Sequence, residues 1–235
     1  MLAQAVNKTW AQLLHPTFRK VFILSVIAAL ITLIVLNYTA YSFWPDGLVT
    51  GWDWIDNAIA GSKWLSSLVF APIMIIVSYF MFPPISTAVM GLLSDQVVDA
   101  VEDDYYPHEK ASRNAKILEN FLGALKLAVA VILLNLLALI PYLILLLITG
   151  GIGTLVLYLL LNGYLLGREY FEMVAIRHMS HKDAVKFRKF HHSKVLMAGM
   201  LIAGLFLIPV VNILAPILGA SIMTHIFHFS LEEDA

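Results

Sequence analysis

The chain has 235 residues, 60% of them hydrophobic, with a mean hydropathy of +0.83; that is one domain's length but too apolar for an ordinary water-soluble core, so the class is membrane protein. The net charge of −1 conceals a segregation, because Arg168 to Lys194 holds seven of the fifteen basic residues and Asp95 to Glu119 seven of the sixteen acids. The absence of cysteine excludes a disulfide framework, a thiol nucleophile and an iron–sulfur cluster.

Along Met1 to His15, Leu2, Val6, Trp10, Leu13 and Leu14 share one helical side, which predicts a segment resting on the membrane surface. No cleavable leader is expected, since the first apolar run begins near Val21 behind a polar lead without a small-residue cleavage site. Pro16 sits where a helix starts, and the run to Leu36 continues through Tyr38, Tyr41, Phe43 and Trp44, so residues 16–44 are predicted to span the bilayer and end in an aromatic belt. Asn37 to Lys63, with three aspartates, one lysine, Pro45 and three glycines, reads as an outside loop with a short amphipathic turn around Trp52 to Ile59.

Trp64 to Phe82 has 19 residues, about 28 Å as a helix, enough to cross a hydrocarbon core of about 30 Å. Pro72 predicts a kink, and Pro83-Pro84 the point where the chain leaves the bilayer. Beyond it, Ile85, Val89, Leu92, Leu93, Val97, Ala100 and Val101 recur at helical spacing opposite Asp95, Asp99, Glu102 and Asp103. That pattern predicts a two-faced helix entering water. With the polar stretch His108 to Leu122, residues 64–122 are expected to form a second transmembrane helix and its amphipathic cytoplasmic extension.

Residues 123–167 are expected to be an apolar hairpin interrupted by Asn135, Pro141 and Thr149-Gly150-Gly151-Ile152-Gly153. Residues 168–194 are a basic cytoplasmic segment, and residues 195–229, with Pro209, Asn212 and Pro216, a second hairpin. Mid-run proline and asparagine fit hairpins that dip into the bilayer and return, and fit equally a plain pair of spanning helices with proline kinks. If all basic groups share the cytoplasmic side, each late stretch enters and leaves there, and both termini are cytoplasmic. The expected fold is an all-α integral membrane protein of two long transmembrane helices and two partially inserted hairpins.

Asp95, Asp99 and Glu102, at i, i+4 and i+7, could hold a cation, but are expected first to be a solvated face or to pair with Lys182 to Lys194. Glu169 and Glu172 beside Arg168 read as a structural ion-pair cluster near the inner interface, with gating as the minor alternative. His178, His181, His191 and His192 fit no zinc signature and are read as part of a basic loop, so neither metal nor cofactor is expected. Gly150-Gly151-Ile152-Gly153 links apolar runs and is a weak phosphate-loop match; with no nucleophile elbow or nucleotide fingerprint, an enzyme is not expected. Nothing suggests a nucleic-acid partner.

Three ordered blocks resemble the CysZ sulfate permease family and its etoposide-induced-protein relatives: Phe82 to Glu102 with Tyr106-Pro107, Gly167-Arg168-Glu169-Tyr170-Phe171-Glu172, and Ile208 to Pro216. The resemblance covers roughly Pro16 to Phe227. It implies an oligomeric bacterial inner-membrane protein passing sulfate inward for cysteine synthesis. It also implies a sulfate site before the first spanning helix, where the family has Pro-Gly-apolar-Arg-Arg and this chain has Pro16-Thr17-Phe18-Arg19-Lys20. Thr17 narrows the backbone angles that glycine allows, and Lys20 lacks arginine's planar fork. A helix N-terminus with two adjacent cations still suits a small oxyanion, and suits lipid headgroups as well. Asn135, Pro141, Glu169, Glu172, Pro209 and Asn212 are the expected route or gating residues. The alternative is a membrane scaffold that docks a partner and transports nothing.

Overall fold

The computed structural model describes residues 1–42, 52–55, 63–109, 117–209 and 211–234. The expected belt residues Phe43 and Trp44, most of the outside loop, and Lys110, Arg113 and Lys116 lie outside them. Among the described residues the elements are helical: α1 (Leu2–Ala11), α2 (Pro16–Ser42), α3 (Lys63–Leu92), α4 (Ser94–Tyr105), α5 (Ile117–Thr149), α6 (Ile152–His178), α7 (His181–Phe190), α8 (His192–Leu207) and α9 (Val211–Asp234). The all-α class stands. The chain forms two units, residues 22–90 and residues 1–21 with 91–235.

In the unit of residues 22–90, α2 buries Ser25, Ala29 and Leu33, one residue per turn, while Ile23, Leu24, Ile27, Leu30, Ile31 and Ile34 are 44–67% exposed. So much aliphatic surface is unstable in water and at home in lipid. Asn37 is satisfied within the unit, donating through Nδ2 to Leu33 O at 2.7 Å and Ser78 Oγ at 2.9 Å. Pro72, Pro83 and Pro84 all lie inside α3. The helix therefore does not change at Pro83-Pro84 as expected; it continues to Leu92 and breaks at Leu93, whose φ and ψ are −97° and 2°. A proline removes one helical bond, and a helix with no water to replace the others keeps them. The segment 64–122 is thus α3, α4 and the first turns of α5.

The other unit is built around α9, buried without interruption from Ala215 to Ser230 and packed by α1, α4, α6 and α8. Among the described residues it is one of three helices long and apolar enough to cross a membrane, with α2 and residues 70–92 of α3. Between Ser221 and Ser230 it carries five buried polar residues, Ser221, Thr224, His225, His228 and Ser230. Thr224 and Ser230 donate to the carbonyls four residues back, at 2.8 Å; Ser221 instead meets Thr9 of α1, Oγ to Oγ, at 2.9 Å. That partner decides how α1 lies. Its buried side is Ala5 and Thr9, with Gln12 just beyond the helix, which leaves Trp10 and Leu14 of the expected anchoring side without protein cover, 54% and 80% exposed.

The α5–α6 hairpin reverses at Gly150 and Gly151, whose φ of +60° and +103° favour glycine. Pro141 breaks nothing; it sits inside α5. Thr149 closes the turn, its hydroxyl donating to Leu145 O and accepting the Gly153 N–H. The apolar limits 123 and 167 are not helix ends, and Arg168 to Arg177 continue α6. The supposed basic loop is helical too: Ser180 caps α7 by accepting the Asp183 N–H, and α7 meets α8 at 89°.

Helices α6 and α8 pack backbone to backbone through Gly163, Gly167 and Gly199. A β-carbon on Gly199 would stand 1.9 Å from Gly163 O, and one on Gly167 would stand 2.6 Å from Val195 O. Residue 163 opposite 199 and 167 opposite 195 make the pair antiparallel, which brings the Gly150-Gly151 turn and Pro209 to the same end. Small residues are how helices approach where water drives no association. Gly199→Ala is therefore expected to lower the stability of the detergent-solubilised protein by about 1–3 kcal/mol, whereas Gly204→Ala, with nothing within 4 Å, leaves thermal melting unchanged or slightly raised; equal effects would contradict this packing.

Candidate functional site

At the start of α2 the first turn leaves backbone N–H groups without helical acceptors. His15 takes up one of them, the Thr17 N–H, and its carbonyl receives the helix's first i→i−4 bond. Its Nδ1 accepts the Thr17 N–H at 3.2 Å and its carbonyl accepts the Arg19 N–H at 3.1 Å. Phe18 is buried edge-on against the His15 ring. Arg19 and Lys20 are exposed. Of the groups expected to meet an anion, the two cations are accessible and the Thr17 amide is engaged. An acid stands close by: Asp104 accepts from Gln12 Nε2 at 2.7 Å and lies 3.6 Å from His15 Nε2.

The expected route residues are scattered. Asn135 and Pro141 lie on exposed faces of α5, Pro209 is exposed in the α8–α9 turn, and Asn212 is half-buried with its N–H on Ile208 O at 2.9 Å. Glu169 faces outward from α6. Glu172 makes the ion pair anticipated with Arg168, at 3.3 Å, and gains a second from Arg188 of α7 at 2.9 Å.

The strongest polar constellation joins α4, α6 and α9. Asp95, Asp99 and Glu102 pair not with Lys182 to Lys194 but with Arg177: Asp95 is at 3.6 Å, Glu102 Oε2 at 3.7 Å, and Asp99 in direct contact. Glu102 is not solvated either, with 3% of its side chain exposed. Its Oε1 lies 2.8 Å from His178 Nε2 and 3.6 Å from His228 Nε2. Burial alone would raise its pKa, but the hydrogen bond with the His178 imidazole and the Arg177 charge outweigh that and hold it at about 2, so it is ionised. Tyr106 stacks on His228 at 3.9 Å, and its hydroxyl bonds His225 Nδ1 at 2.9 Å. Burial raises this phenol's pKa, helped by nearby Glu232 and Glu109. Lys8 of α1 closes the cluster with its ammonium over the Tyr105, Tyr106 and Phe229 rings, 4.9–5.2 Å from their centres.

Sequence reading missed His228, Glu109 and Arg177 as members of a site. The available signal was His225 and His228 interrupting an apolar run. His191, by contrast, pairs with Asp234 at 3.0 Å, away from this cluster.

Helices with exposed aliphatic faces, among them spans of membrane-crossing length, define a multi-pass α-helical membrane protein. More particularly, the chain belongs to the family described as Sulfate transporter CysZ/Etoposide-induced protein 2.4, whose model matches residues 5–216. The expected family is borne out. No curated protein and no solved structure gives a significant match.

Removing Glu172 strands two guanidinium groups in a largely buried setting. Glu172→Leu is expected to cost about 3–5 kcal/mol, and the outward-facing Glu169→Leu about 0.5 kcal/mol or less. Thermal melting in detergent distinguishes them, and comparable losses would show that Glu172 has no special pairing.

Proposed function

We propose that the protein is an inner-membrane permease that admits sulfate, or an oxyanion of similar size and charge, for cysteine biosynthesis, and that it works as a homo-oligomer in a bacterial plasma membrane with both termini cytoplasmic. The observation that carries this reading is the exposed Arg19–Lys20 pair at the N-terminus of a membrane-length helix, in a chain of this family. An oxyanion there gains from the helix dipole and from two charge-assisted contacts. With the Thr17 amide held by His15, the work passes to Arg19, Lys20 and the Phe18 N–H. Beyond the entrance, the anion passes along the hairpins by Asn135, Pro141, Pro209 and Asn212. Glu169 and the Glu172 ion pairs influence gating and take no part in binding, because carboxylates repel sulfate.

Radiolabelled sulfate uptake into proteoliposomes tests the reading. Uptake above empty vesicles is expected, reduced about tenfold or more by Arg19→Ala/Lys20→Ala, since each charged contact is worth about 1.5–3 kcal/mol. Uptake equal to empty vesicles, or unaffected by the double substitution, would overturn it.

A further inference from the structure

The cluster of Glu102, His178 and His228 has the composition and shape of a metal site. Glu102 Oε1, His178 Nε2 and His228 Nε2 all lie within 4.8 Å of one another. The two separations from the carboxylate oxygen, 2.8 and 3.6 Å, bracket the spacing of about 3.3 Å between ligands held about 2.0–2.1 Å from a tetrahedral zinc ion.

Independent of that grouping is the state of His228. Its side chain is fully buried, its Nδ1 is held by Glu109 Oε2 at 2.7 Å, and its Nε2 is a buried nitrogen without a hydrogen-bond partner, aimed at Glu102. A carboxylate on Nδ1 keeps the proton there and leaves the Nε2 lone pair outward, the arrangement by which proteins orient metal-binding histidines. The stacked Tyr106 ring fixes the imidazole plane. Buried polar atoms in folded proteins are nearly always partnered, and a cation would partner this one.

The carboxylates are placed to suit a cation: Glu109 sits behind His228, and Arg177 approaches Glu102 through Oε2 and leaves Oε1 to the imidazoles. Arg177 is itself shared with Asp95 and Asp99.

We propose that Glu102, His178 and His228 bind a divalent transition-metal ion of the zinc class, with Glu109 as the positioning residue behind His228. Two imidazoles and one carboxylate suit zinc and its first-row neighbours better than calcium or magnesium. The ion fastens α4, α6 and α9 at one point, and the site stands whether or not the chain carries sulfate.

The untagged full chain in detergent, stripped with chelator and titrated with zinc, is expected to bind about one ion per chain at this site and to melt at higher temperature when loaded. Cobalt in place of zinc is expected to give the intense visible absorption of a four-coordinate site. His178→Asn and His228→Asn abolish both signals, while His191→Asn keeps them. If the ligand variants fail to fold, Glu109→Gln decides: its ligands are intact, and zinc affinity is expected to fall about tenfold to a hundredfold. No zinc binding by the wild-type chain, binding that survives His178→Asn or His228→Asn, or unchanged affinity in Glu109→Gln would overturn the proposal.

Discussion

Glu102 is an ionised carboxylate with almost no access to water, and the unit containing it is arranged to answer that charge. An unanswered buried ion costs several kcal/mol. Its partners come from outside its own helix: Arg177 and His178 from the last turn of α6, and His228 from α9. One carboxylate thus fixes three helices. Tyr106 and Lys8 extend the same cluster to the turn after α4 and to α1, so aromatic faces and polar tips share a region that purely apolar side chains would fill without specifying an arrangement.

The middle of α6 is held by a different force. Gly163, Gly167 and Gly199 give up side chains so that two backbones can touch, and dispersion over that contact replaces the hydrophobic drive that lipid does not supply. Between the glycine contact and the Glu102 cluster, α6 is tied to α8 at one level and to α4 and α9 at another. The Arg168–Glu172–Arg188 pairs hold α7 to it between those levels. The antiparallel register puts the turns at Gly150-Gly151 and Pro209 at the same end of the α6–α8 pair.

Composition made the class legible, because 60% hydrophobic residues have no soluble explanation, and the family blocks stand in the chain as written. The Gly150-Gly151 turn was legible through its glycines, and the Arg168–Glu172 pair through i, i+4 spacing. Other features were hidden for physical reasons. An apolar helix wrapped by protein reads like one wrapped by lipid, so hydropathy cannot show that α9 is enclosed. Pro83-Pro84 looked like a boundary because proline ends helices in water, where other partners are on offer. The Thr9–Ser221 contact was hidden because it joins α1 to a helix more than two hundred positions away. Glu102 reads from sequence as part of a solvated face or as a partner of Lys182 to Lys194, because its actual partners lie on other helices, which no local spacing reveals.

The account rests on α9 as an enclosed core helix with α1 folded against its polar half. The chain has no cysteine, so one introduced pair reports cleanly. Thr9→Cys/Ser221→Cys replaces two hydroxyls that stand 2.9 Å apart. With mild oxidant in native membranes, the account predicts near-complete intramolecular disulfide formation, which a control pair placing the first cysteine at Trp10 does not give. Failure of the Thr9–Ser221 pair to cross-link, or equal cross-linking from Trp10, would mean that α1 lies elsewhere and would contradict this architecture.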